Sequence, residues 1–114
     1  MESQSLTTLA SELLAAARAA NSGRSARTIH GGHAHALRQT LLALTAGSQL
    51  AEHESPGEAT LQVLVGRVRL TAGDDSWEGA AGDYVHIPPQ RHHLDATDDA
   101  VIMLTVAVAV DRPA

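Results

Sequence analysis

Residues 47–66 read GSQLAEHESPGEATLQVLVG, and residues 82–93 read GDYVHIPPQRHH. Each opens on a glycine, runs through a short stretch carrying apolar side chains at alternate positions, and is broken by proline. That is the pattern of short strands joined by tight turns. Working outward from these two stretches, strands are expected near residues 36–45, 49–53, 60–65, 67–71, 76–78, 84–87, 92–96 and 101–110. Turn-forming clusters fall between them, at 46–47, 55–57, 72–75, 79–83 and 88–89. Strands recurring about every ten residues with no helix between them point to an antiparallel sandwich or barrel, not a parallel sheet with crossover helices. The last run, AVIMLTVAVAV at 100–110, is apolar at odd and even positions alike, so it belongs in the middle of a sheet with both faces covered.

The start of the chain follows a different period. Leu6, Leu9, Leu13, Ala16, Ala17 and Ala20 recur at three- and four-residue spacing, with Ser11, Glu12 and Arg18 off that stripe. This predicts an amphipathic helix that stops at Asn21-Ser22-Gly23, and its alanine-rich stripe suits packing on a sheet or on a partner subunit. The plain packing helix is the simpler reading. The expected organisation is a helical arm over residues 1–25 and one β domain over 26–114.

Composition narrows the functional classes. The 114 residues contain no cysteine, which removes disulfides, thiolate metal sites and cysteine nucleophiles together. Thirteen acidic side chains stand against eight arginines and no lysine, and the arginines are scattered singly, so the clustered positive field that nucleic acid requires is not expected. The first residues lack a basic leader pattern, and the longest apolar run is far short of the roughly 20 residues of a membrane span, so neither export nor membrane insertion is expected and a cytoplasmic location is. With no phenylalanine, one tyrosine and one tryptophan, the core must be built from Leu, Val, Ile and Ala. No phosphate-cradling glycine loop, nucleophile elbow or helical zinc-protease motif is present in the sequence. The acids are all explained without catalysis. Glu52 and Glu54 alternate away from His53, and Asp74, Asp75, Asp83, Asp98 and Asp99 fall in turns where their carboxylates bond nearby amides.

Seven histidines carry whatever chemistry remains. His33 and His35 would share one face of an extended strand, the spacing that lets two rings reach one metal, although a solvated turn is the simpler account. His86 sits between Val85 and Ile87 where an apolar residue would be expected. A hydrogen-bonded, half-buried side chain is its first reading and a ligand its second.

The spacing of the two opening stretches resembles the cupin family, whose first motif is G-x5-H-x-H-x3-E-x6-G and whose second is G-x5-P-x-G-x2-H-x3-N. Gly47, His53, Gly66, Gly82, Pro88 and His93 stand on the marks of those motifs, over roughly residues 37–108. The resemblance implies a single RmlC-like jelly-roll barrel, all-β with an N-terminal helix outside it, and a ligand role for His53 and His93. The sequence departs from the pattern at Ser55, Ala59, Gln90 and Thr97, so two of the family's four usual ligands are missing. Bound Fe, Mn, Ni or Zn takes three or more protein ligands as a rule. Candidate replacements are Glu58, if the Pro56-Gly57 turn shifts the register, and His86, if its ring faces inward to complete a set with His53 and His93. His92 takes the place of His93 if the register slips by one. Ser55, Gln62, His33, His35 and His92 complete the candidate ligand pocket. The leading expectation is a small-molecule-binding barrel with a divalent metal as candidate cofactor. The alternatives are a metal-dependent dioxygenase or isomerase and a non-catalytic interaction module whose barrel is filled by its own side chains. A homodimer is expected, because an unpaired sheet edge is normally covered.

Overall fold

The computed structural model describes residues 1–54 and 57–109. Helix α1 (Leu6–Ala19) begins where the Ser5 side chain accepts a hydrogen bond from the Thr8 amide at 3.2 Å, satisfying one of the donors that a helix start leaves open. It buries Leu9, Ala10, Leu13, Leu14 and Ala17, the stripe read from the periodicity. Each leucine so buried contributes about 1.5–3 kcal/mol, and the alanines between them let the helix approach its support closely.

Nine strands follow: β1 (Arg24–His30), β2 (Leu37–Leu44), β3 (Gln49–His53), β4 (Glu58–Val65), β5 (Arg67–Ala72), β6 (Asp75–Ala80), β7 (Tyr84–Ile87), β8 (His92–Ala96) and β9 (Ala100–Ala107). They form a five-stranded sheet in the order β1-β2-β9-β4-β7 and a four-stranded sheet in the order β3-β8-β5-β6. The described strand pairs are all antiparallel. This is the jelly-roll order, with the two hydrogen-bonded sheets packed face to face and not joined into one continuous ring.

β1 lies where no strand was expected. Of its seven residues only Ser25 and Ile29 are half-buried, and the rest are exposed. It is an edge strand that pairs on one side only, so its sequence carries neither alternation nor an apolar run. The residues expected to extend as a strand around His33 and His35 form instead the loop between β1 and β2, because the chain reverses there to bring β1 alongside β2. The β9 run ends at Ala107, and Val110 lies outside the described residues.

β9 explains its own sequence. Ala100, Ile102, Leu104 and Val106 join the cluster between the sheets, with Leu44, Leu61, Val63, Val68, Leu70 and Leu94. Val101 and Met103 point the other way and meet Leu9, Leu13 and Leu14 of α1. The helix therefore lies on the outer face of the five-stranded sheet, across β1, β2 and β9. At the turn closing the first motif, Gly66 takes φ +78°, and a Cβ there would run into the Asp99 carbonyl oxygen, so only glycine fits.

Candidate functional site

The turn at residues 45–48 folds β2 back into β3, so the Leu37 end of β2 and the His53 end of β3 lie at the same end of the sandwich. The β3–β4 and β7–β8 connections are also at this end, which forms the mouth between the sheets. Below it the interior is lined mainly by aliphatic side chains.

Two histidines meet at the mouth, and they are His53 and His92. Along the β3–β8 ladder Leu50 opposes Leu94 and His53 opposes His92, so β3 spends three steps where β8 spends two. The extra residue is a bulge, and it turns His53 onto the core-facing side that it shares with Leu50, where strict alternation would have put it on the opposite side. On β8, His92, Leu94 and Ala96 are buried, while His93 and Asp95 face outward. The rings of His53 and His92 lie 4.5 Å apart, edge to face. His92 is 3% exposed, the one polar side chain in the buried class among the described residues.

Each ring is held by the backbone two residues before it. His53 Nδ1 lies 2.9 Å from the Ala51 carbonyl oxygen, and His92 Nδ1 lies 2.9 Å from that of Gln90. A carbonyl only accepts, so Nδ1 carries the proton in both neutral rings and Nε2 presents a lone pair. Among the described residues neither Nε2 makes a hydrogen bond. Across the rim Arg91 Nε binds Glu52 Oε1 at 3.0 Å, tying the bulge of β3 to the segment that leads into β8.

The structure does not bring the expected partners together. His93 lies on the outside of the four-stranded sheet, opposite Thr71, with Nε2 3.4 Å from Asp95 Oδ2. His86 pairs with Thr60 and is exposed on the outer face of the five-stranded sheet, its ring 6.1 Å from that of Tyr84. Glu58 opens β4 with its side chain on that same outer face, because its neighbour Ala59 is the buried one. Gln62 also faces outward, opposite Tyr84 and Met103. The register shift that would have turned Glu58 inward does not occur, and the set His53, His86 and His93 is not formed. Glu58, Thr60, His86, Pro89 and Thr105 line an open groove of about 620 Å³ on the outer side. His33 and His35 sit in the exposed β1–β2 loop, where His35 meets His30 at a ring separation of 4.7 Å. Ser55 lies outside the described residues. Sequence reasoning placed His93 at the mouth by counting from Gly82. The signal that could have corrected it is the apolar pattern of β8 itself, since Leu94 and Ala96 share the face of His92.

A resident divalent metal is not matched by this donor set. Among the described residues no group of three or more His, Asp or Glu side chains is arranged to hold one, and the mouth supplies two imidazole nitrogens.

A two-sheet jelly roll with a histidine-lined mouth at one end defines the class of protein, and comparison with known families agrees. The chain belongs to the cupin family: the family described as "Cupin domain" matches residues 40–108. Among solved structures it is similar to a conserved protein of unknown function from Streptococcus pyogenes, with 24% identity, 81% of this chain and 80% of that one covered, and a TM-score of 0.71. A cupin superfamily protein from Desulfitobacterium hafniense DCB-2 is similar at 14% identity over 75% and 78% of the two chains, with a TM-score of 0.68. An RmlC-like cupin from Shewanella frigidimarina NCIMB 400 is similar at 17% identity over 78% and 79%, also with a TM-score of 0.68. At these identities the likeness establishes the fold. Curated protein sequences give no match.

Proposed function

We propose that this protein binds a small molecule at the mouth of the sandwich, with His53 and His92 as its fixed polar contacts. The observation that carries the reading is the pair of rings whose Nδ1 atoms are tied to backbone carbonyls while their Nε2 lone pairs are left for a ligand. Groups held in this way are pre-organised, so a ligand loses little of its binding free energy to ordering them. Binding without turnover accounts for the arrangement, and among the described residues no third metal-ligating side chain stands with the two rings.

The test is a titration of isotope-labelled protein with a library of small polar molecules, read by backbone and imidazole NMR signals. Ligands should move the His53 and His92 signals first, and H53A/H92Q should bind them at least tenfold more weakly. Binding that leaves both rings unmoved would transfer the site elsewhere, and the outer groove at Glu58 and His86 is where the shifts would then be sought.

The expected self-association belongs to the same proposal. Leu37, 44% exposed, and Tyr84, 58% exposed, lie on the part of the outer sheet face that α1 leaves uncovered, and β1 is an unpaired edge. A second copy covering these groups would give a homodimer, which sedimentation velocity would show as a single species of twice the chain mass.

A further inference from the structure

The inner face of β2 brings a permanent charge to the mouth. Arg38 opposes Val106 on β9, Val106 opposes Ala59 on β4, and Ala59 opposes Ile87 on β7. Ala59 and Ile87 are buried between the sheets and Val106 packs against them, so Arg38 occupies the core-facing row nearest the mouth. The next row inward is Thr40, Leu104, Leu61 and Val85, which is almost wholly apolar. The Arg38 Nε is buried and has no hydrogen-bond partner among the described residues. The described ion pairs use Arg18, Arg69, Arg91 and His93, and none involves Arg38. Glu58, the nearest acid along β4, stands on the outer face.

Arg38 as a whole is half-buried and its guanidinium keeps its proton, so the buried Nε–H left without an acceptor is destabilising. Such a group in a native structure calls for an explanation, and a ligand that supplies the missing acceptor is one with a chemical identity. We infer that Arg38 is the anion anchor of the mouth and that the ligand is a small organic acid. Its carboxylate meets the Arg38 guanidinium, and a hydroxyl or amide N–H on the same molecule donates to the Nε2 of His53 or of His92. A single guanidinium in an apolar wall balances a singly charged carboxylate, whereas a dianionic phosphate would bring a second charge with no partner among the described residues. This inference rests on the mouth being the binding site.

The experiment compares mandelate, which carries a carboxylate, a hydroxyl and an apolar body, with its neutral analogue mandelamide and with inorganic phosphate. Each is titrated into wild type, R38M and R38K, with NMR shifts at His53, His92 and Ala59 as the readout. Mandelate should bind wild type at the mouth and lose about ten- to a hundredfold in R38M, the range of a charge-assisted hydrogen bond. R38K keeps the charge without the fork and should fall between the two. Mandelamide should bind wild type and R38M equally, and phosphate more weakly than mandelate. Equal mandelate binding by wild type and R38M, or phosphate binding more tightly than mandelate, would overturn the anchor while leaving the mouth as a binding site. Mandelamide binding at the mouth without mandelate would do the same. Failure of both compounds to shift the mouth would overturn the anchor together with the proposed function. A ligand-free measurement stands beside these: in buffer without carboxylates R38M should be at least as stable as wild type, and a clear loss of stability would show that the guanidinium already has a partner.

Discussion

Two pairs of imidazoles in this protein look alike by distance and differ in everything that makes a site. His53 and His92 lie 4.5 Å apart and His30 and His35 lie 4.7 Å apart, both edge to face. The first pair spans two hydrogen-bonded strands, has both Nδ1 atoms bound to backbone carbonyls, and buries one ring almost completely. The second pair joins the end of an exposed edge strand to a loop, and among the described residues neither ring has a hydrogen bond. Proximity alone is therefore a poor guide. What separates the pairs is how many independent constraints fix each ring, and that decides how much order a ligand would have to impose.

Breaking each pair by mutation should give a graded series. H92A removes a buried side chain and its hydrogen bond and should cost about 2 kcal/mol in urea denaturation, since the cavity left beneath the rim is lined by packed strands. H53A takes away an exposed ring and should cost about 0.5–1 kcal/mol, with the loss appearing mainly in ligand binding. The rim pair Arg91–Glu52 is open to solvent, its side chains 59% and 55% exposed, so E52Q should change stability by less than about 1 kcal/mol. H30A and H35A should stay within about 0.5 kcal/mol of wild type. A loss from H35A as large as that from H92A would mean that the loop pair is as well fixed as the mouth, and the distinction would fail.

Imidazole nitrogen spectra sharpen the comparison without a mutation. His53 and His92, when neutral, should show the proton on Nδ1, while His30 and His35 should show mixed tautomers.

The far end of the sandwich supplies the pH dependence. There Asp99 accepts the Ala46 amide at 2.8 Å and the Arg18 Nε at 2.9 Å, and these two contacts, the amide first, hold its carboxyl below the ordinary value of 3.8. A carboxyl lowered in the folded state adds stability that is fully present above that ordinary value and is lost as pH falls through the lower folded value. D99N should therefore be less stable than wild type at neutral pH, with the gap closing below about pH 3.8, as followed by thermal denaturation at a series of pH values. A gap that persists in acid would show that the asparagine fails for a steric reason and not for want of charge.

Much of the fold was legible because its signals are local. The turn glycines, the prolines and the alternation of β4, β5 and β8 each act within a few residues, so reading them in isolation suffices. The amphipathic stripe of α1 and the doubly apolar β9 even indicated each other's place, since a strand apolar on both sides needs a cover and the helix is that cover. β1 was illegible, because an edge strand that leaves most of its side chains in solvent places almost no demand on composition.

The site was legible only to within one residue, and one residue is enough to reverse a strand's faces. Glycine and histidine spacing brought both motif ends to one mouth, but the alternation of β8 sets His92 inward with Leu94 and Ala96 and turns His93 away, while an extra residue between Leu50 and His53 brings His53 round to meet His92. His86 and Glu58 were inward candidates only on conditions, an inward ring for the one and a shifted register for the other, and neither condition is met; Glu58 and Gln62 face outward as plain strand alternation predicts. By itself, then, the sequence determined the family, the all-β architecture, the covering helix and the aliphatic interior, all of which follow from residue type and short-range period. Tertiary structure alone decided which imidazole meets which, which acids stay outside, and that the half-buried Arg38 on the inner wall has a buried Nε without a partner among the described residues, because facing direction is set by pairing between segments distant in the chain.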